Sequence, residues 1–154
     1  MGQKMKQKVF AYITHGQRLL VFRHPYAPEA GIQVPAGTIE ANEAPEQAVL
    51  REAFEETGLT DLTIAGFLGE QERDMSDLGR DEIHHRYFYH LRCGGTPPST
   101  WQHEERDPSD GPEVMPIMFE FFWAPLPDGV PPLIADHDGM LPQLLDVLQI
   151  LPAP

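Results

Sequence analysis

Pro45 and Gly58 bracket a segment whose ends read as the start and stop of an α-helix, and a helix at that place dictates what must surround it. Proline is tolerated in the first helical turn, where its missing N–H would have no partner, and glycine readily takes the left-handed conformation that ends a helix. The spacing therefore predicts a helix over 45–57. Residues 9–14 (VFAYIT) and 18–23 (RLLVFR) are β-rich and apolar, and the short His15-Gly16-Gln17 between them predicts a hairpin. A loop rich in proline and glycine, 25–31, leads to a short extended segment at 32–35 and a turn around Gly37. Residues 62–68, 83–91 and 114–123 read as further strands, with a charged loop carrying Asp74, Asp77, Gly79 and Asp81 between the first two. The stretch 94–112 reads as a long polar loop, and 125–132 as a stiff connector. Asp138 is expected to cap a closing helix over 139–150, with an apolar stripe of Leu141, Leu144, Leu145 and Leu148. Strands before and after one helix, plus a closing helix, give an α/β (α+β) fold in which a mixed β-sheet is sandwiched between α-helices. The length suits a single domain, 1–154.

Charge removes several functional classes. The 24 acidic side chains outweigh 11 basic ones, for a net charge of −13. Such a surface repels a nucleic-acid backbone and an anionic membrane, so neither a nucleic-acid polymer nor a membrane is an expected partner. A small phosphate ester remains admissible where metal ions reverse the sign locally. No apolar run is long enough to cross a bilayer, and Met1 to Lys8 lack the apolar stretch of a secretory signal. Cys93 is the single cysteine, which suits a reducing, cytoplasmic setting and reads as a small packed residue at a strand end.

The chemistry concentrates on the central helix. With Glu52 as origin, Glu56 falls at roughly 40° and Glu55 at roughly 300°, so three carboxylates share one face. Leu50, Ala53, Phe54 and Thr57 fall at roughly 100–200°, the arc expected to face the core. Arg51 can pair with Glu55 one turn on. Three like charges on one face are unfavourable unless a cation sits among them, and hard divalent cations prefer such oxygen ligands.

Around this helix, five residues separate Gly37 from Glu43, and seven separate Glu43 from Arg51-Glu52. Two more precede Glu55-Glu56, and Thr57, Gly58 and Leu59 follow. The pattern resembles the Nudix box, Gly-x5-Glu-x7-Arg-Glu-U-x-Glu-Glu-x-Gly-U with U apolar. All seven fixed positions match, and Ala53 and Leu59 fill the U positions. Ala36 stands where relatives often carry a second glycine. The resemblance implies the Nudix fold and a loop-helix-loop that holds Mg²⁺, with Mn²⁺ able to substitute, against the diphosphate of a small phosphorylated substrate. Carried onto this chain, Glu52, Glu55 and Glu56 would be the principal metal ligands, the Ala36 carbonyl another, and Glu43 a supporting one. Arg51 would orient a carboxylate, Gly37 and Gly58 would shape the ends of the motif, and Gly37 would also meet the substrate.

Attack of water on phosphorus needs an in-line nucleophile, charge neutralisation and a general base. Glu55 or Glu56 would serve as base, or an acid of the long loop, where His103, Glu104, Glu105 and Asp107 are available. Glu104 and Glu105 are carried forward as the catalytic candidates there. Arg23, closing the second strand, is the expected substrate-phosphate contact, ahead of Arg73, Arg80 and Arg86. His84 and His85 fall on opposite faces of a strand, one packed and one at the surface. Trp101, Phe119, Phe121 and Phe122 would stack on a base or belong to the core. Subgroup markers are missing: no proline occurs between Leu59 and Thr96, and the first tyrosine after the box is Tyr87. The substrate is thus read only as nucleoside-diphosphate-like. A Nudix-fold sensor without turnover and an isomerase using Cys93 are the competing readings, and homodimerisation is left open.

Overall fold

Residues 3–105 and 117–150 are described by the computed structural model. Within them lie seven strands and two α-helices: β1 (Lys4–His15), β2 (Arg18–Arg23), β3 (Ala36–Thr38), α1 (Pro45–Thr57), β4 (Leu62–Asp74), β5 (Glu82–Cys93), β6 (Thr100–Glu105), β7 (Ile117–Pro125) and α2 (Leu141–Leu148). The strands form one mixed sheet in the order β4-β5-β1-β2-β7-β6, with β3 paired to β1 off that path. β1 is the hub. It runs parallel to β5 from Lys4↔Glu82 to Thr14↔Arg92, pairs antiparallel with β3 at Val9↔Gly37, and meets β2 at Thr14↔Leu19. Its residues Val9 to Ile13 are at most 2% exposed, the continuous apolar run expected of a strand covered on both faces.

Alternation along these strands builds two cores. Val9, Ala11, Ile13, Leu20, Phe22, Phe119 and Phe121 face α1, whose Ala48, Val49 and Ala53 pack against them. Phe10, Tyr12, Leu19, Val21 and Phe88 face the opposite side, where Leu144 of α2 is fully buried and Leu141, Leu145 and Leu148 pack around it. The sheet sandwiched between helices is therefore present, and the α2 stripe faces inward as its spacing requires. No helix among the described residues is long and apolar enough to cross a membrane.

Several boundaries differ from the sequence reading. Gly37 lies inside β3 rather than in a turn, because the ladder with β1 extends through it. The stretch read as a polar loop contains β6, paired with β7 from Thr100↔Phe122 to Glu105↔Ile117. Prolines and glycines on its flanks hid the alternation of Trp101 and His103. Residues 106–116, including Asp107 and the start of the strand expected at 114, lie outside the described residues. Asp138 makes no side-chain cap on α2, which begins after Met140.

Three buried histidines make stability depend on pH. His90 is 2% exposed and shares a 2.8 Å hydrogen bond with Thr14 Oγ1; burial pushes its pKa down to about 4. Burial likewise lowers His84, and lowers His137 to about 3. A depressed folded pKa means the unfolded chain binds more protons, so the stabilisation is complete above pH 6.5 and is lost as pH falls through the folded value. For His90 the loss between pH 6.5 and 4 is about 3 kcal/mol. Denaturant titrations across that window should show His90→Gln with a visibly flatter pH dependence than the parent; superimposable slopes would remove His90 from the explanation.

Candidate active site

Local sequence explains why α1 is held so firmly. Gln47 Oε1 accepts the Ala44 N–H at 3.0 Å at its start. Gly58 closes it in the left-handed conformation, φ 76°, donating to Phe54 O at 2.8 Å. Two more C-terminal carbonyls are met by side chains of β6: Trp101 Nε1 donates to Thr57 O at 2.9 Å, and His103 Nε2 lies 2.9 Å from Glu55 O. A helix end leaves such carbonyls without intrahelical partners, so β6 supplies what α1 lacks. Neither contact follows from the residues read alone, since it depends on the fold bringing 101–103 beside 55–57.

The rotation of α1 differs from the helical-wheel expectation. Ala53 and Thr57 are buried, but Leu50 and Phe54 are 36% and 53% exposed, and Glu56 is buried instead. The packed arc is Ala48, Val49, Ala53, Glu56 and Thr57, whose small side chains let the helix lie close to the sheet. The acidic face consequently borders the packing face rather than opposing it. Glu56 Oε2 accepts the Ala36 N–H of β3 at 3.0 Å. Glu52 sits against Gly37, where any Cβ would overlap the Glu52 carboxylate. That close approach is the physical reason for glycine at 37.

Arg51 joins the acids. Its Nε and Nη2 grip both oxygens of Glu43 at 2.7 and 2.9 Å, and Nη2 also donates to Thr38 O at 3.1 Å. Nη1 reaches Glu52 Oε1 at 2.8 Å and Glu55 Oε2 at 3.2 Å. Glu43 Oε1 additionally accepts the Glu40 N–H. This pairing with Arg51 pulls the Glu43 carboxyl down to about 2. Glu52, by contrast, is raised from its ordinary value because burial outweighs the nearby guanidinium. Glu55 is the open member, its side chain 48% exposed. Lys8 approaches from β1, donating to Thr38 Oγ1 at 2.9 Å, and burial lowers its pKa.

Glu43, Arg51, Glu52, Glu55, Glu56, Ala36 and Gly37 are thus brought together, and the remaining candidates are not. Arg23 follows Phe22, which faces α1, so it lies on the opposite side of the sheet; there it pairs with Glu120 at 3.4 Å and covers the Phe122 ring. Glu104 alternates with Trp101 and His103 and shares the face of Gln102, which bonds Glu120, away from α1. The side chain of Glu105 lies outside the described residues. Arg73 is taken up by Asp77 and Asp136. Phe119 and Phe121 are core, and Trp101 stacks on Phe121 at 5.1 Å. His84 is buried while His85 is partly exposed. Cys93 is buried, and that burial pushes its thiol up, the wrong direction for an isomerase's reactive thiolate.

The chain belongs to the Nudix family: the NUDIX domain model matches residues 4–144. It is 30% identical over 99 residues to the NAD-capped RNA hydrolase NudC of Haemophilus influenzae, covering 53% of this chain and 38% of that protein. It therefore spans well under half the length of that relative. The solution structure of the E. coli ORF135 protein superimposes with a TM-score of 0.64 at 21% identity, covering 99% of this chain and 96% of that one. The crystal structure of a MutT NUDIX hydrolase from Burkholderia pseudomallei gives 0.62 at 24% identity, covering 92% and 99%. At these identities the likeness establishes the shared fold.

Gly37→Ala tests the close approach. The added methyl must displace the Glu52 carboxylate, and overpacking of this kind costs about 1–3 kcal/mol. Urea unfolding should register that loss. A variant as stable as the parent would show that the contact does not matter.

Proposed function

We propose that this chain hydrolyses a diphosphate linkage in a small, nucleoside-diphosphate-like substrate, with Mg²⁺ or Mn²⁺ held by Glu52, Glu55 and Glu56. The observation that carries the reading is that α1 brings Glu52 against Gly37, shares Arg51 between Glu52 and Glu55, and fixes Glu56 on the adjoining Ala36 N–H. Among the described residues no three acidic, histidine or cysteine side chains already surround one point. Glu52 and Glu55 are bonded to Arg51 and Glu56 to the Ala36 N–H, so the three would turn toward one point to share an ion. The donor set itself, all oxygen and close to backbone, fits a hard divalent ion.

The roles then divide by exposure and bonding. Glu56, anchored on β3, and Glu52, half-enclosed by Gly37, would provide fixed ligands, with the Ala36 carbonyl as a further oxygen. Arg51 and Glu43 would hold the orientation of the others. Glu55 faces solvent and is our choice to accept the proton of the attacking water; Glu104, turned to the other face, is the weaker choice. Bound there, the cation would neutralise charge on the phosphates and acidify a water. The relative's name concerns a capped RNA, but a net charge of −13 disfavours a polymer here, which supports a small substrate. A sensor without turnover is the second reading, and an intact set of carboxylates speaks against it.

The test is phosphate release from nucleoside di- and triphosphates, nucleotide sugars and dinucleoside polyphosphates with Mg²⁺, counted after phosphatase treatment. Glu55→Gln should fold normally, being exposed, and lose about 10²- to 10⁴-fold in kcat. Metal at 100 times its Kd should stabilise the parent by about 2.7 kcal/mol in thermal unfolding. Metal-dependent stabilisation without turnover on any substrate would favour the sensor; no response to metal at all would sink both readings.

A further inference from the structure

On the α2 side of the sheet, beginning at Ala36, lies a cavity of about 370 Å³. Ala36 lines it while donating its N–H to Glu56, so cavity and carboxylate cluster share a wall residue. Its walls include Lys8, Arg80, His84 and Arg86 and no aspartate or glutamate among the described residues, in a chain whose net charge is −13. Two acids stand just outside the lining: Glu82, shared by Lys6, Arg80 and His84, and Asp136, held by Arg73.

Arg86 is the unusual member. It is 1% exposed, and among the described residues no carboxylate lies within ion-pair distance of it, the charge of Asp136 reaching it only from farther off. Its Nη1 donates to the carbonyl of Ala135 at 2.6 Å, its Nη2 points at the sulfur of Met75, and its Nε has no partner. Burial pulls it down to about 10, which leaves it charged at neutral pH. A buried cation with only a distant counter-charge is costly, and an arriving anion would offset that cost. His84 poses the complementary demand. Its Nε2 lies 2.9 Å from Glu82 and carries the hydrogen, so in the neutral ring that burial favours, Nδ1 is an acceptor; it too has no partner. A hydroxyl would satisfy it.

The one phenyl ring in the lining is Phe10, and its faces are taken by Phe88, stacked at 4.8 Å, and by the Arg86 guanidinium at 4.7 Å. Phe10 therefore offers no face to a nucleobase.

We propose that this cavity receives the group attached to the diphosphate and that this group is a phosphorylated sugar: phosphate oxygens meet Lys8, Arg80 and Arg86, and a sugar hydroxyl donates to His84 Nδ1. The preferred substrate is then a sugar diphosphate bearing a second phosphate, which narrows the nucleoside-diphosphate-like reading to its sugar and diphosphate and gives a base no seat in this cavity. This rests on the hydrolase reading for the chemistry, but the seat itself does not need the metal or turnover. The test therefore begins with calorimetry in EDTA, using ribose 5-phosphate, ribose and adenosine as probes. Ribose 5-phosphate should bind, ribose and adenosine should not, and Arg80→Ala and Lys8→Met should each weaken binding by about tenfold or more. Arg80 sits at the rim, 62% exposed, so its variant keeps the fold. With Mg²⁺, a phosphorylated sugar diphosphate should be hydrolysed in preference to an unphosphorylated one, and Arg80→Ala should erase that preference through KM. Adenosine binding in place of ribose 5-phosphate, or variants that bind as the parent does, would overturn the assignment. Binding of ribose 5-phosphate without turnover of any diphosphate would keep the seat and remove the hydrolase.

Discussion

The guanidinium of Arg51 is the interaction on which the acidic site depends. One planar fork contacts Glu43, Glu52, Glu55 and the Thr38 carbonyl, so it binds the strand β3, the loop after it and the helix α1 into one piece. Without it, Glu52 and Glu55 would sit on one helix face with no positive charge between them, and the loop carrying Glu43 would lose its anchor. A lysine could not substitute, because an ammonium lacks the flat, five-donor geometry that meets several acceptors at once. The arrangement also gives Glu43, Glu52 and Glu55 one shared counter-ion.

The position of α1 follows from contacts at both ends of that network. Glu56 is drawn onto the Ala36 N–H and Glu52 onto the bare backbone of Gly37, which rolls the helix until its acids border the core. Ala48 and Ala53 make the roll possible by keeping the interface thin. At the far end Trp101 and His103 meet the helix carbonyls, so an edge strand remote in sequence fixes the direction in which the acidic residues are presented. The functional face is therefore set by the sheet as much as by the helix.

Much of this was legible in the chain. Pro45 and Gly58 marked both ends of α1 because each residue type does something there that few others can do. The spacing from Gly37 to Leu59 gathered the residues that the fold brings together, and the leucines of α2 named its buried face. What could not be read depended on tertiary partners. Leu50 and Phe54 look like core on a wheel, and only the pull of β3 on Glu56 explains why they face water. Arg23 stood at a strand end facing either side, and the alternation anchored by Phe22 decided against the cluster. β6 was hidden because its partner β7 comes later in the chain and its own residues are polar. Arg86 read as one of several basic residues; its burial, at 1% exposure, is a property of the folded sheet alone.

The parallel pairing of β1 with β5 has a consequence for synthesis. Every pair in that ladder joins positions far apart, Phe10 with Phe88 among them, while β2 and β3 border β1 on its other edge. During translation, residues Val9 to Ile13 emerge before β5 and then wait for the chain through Cys93 before their second edge is closed. Contacts of such long sequence separation are slow to form, and an apolar strand with one open edge is a template for association with other chains. A nascent chain paused between β3 and β5 would hold its most apolar strand half-covered, so the period of greatest vulnerability falls just as the acidic helix is being made.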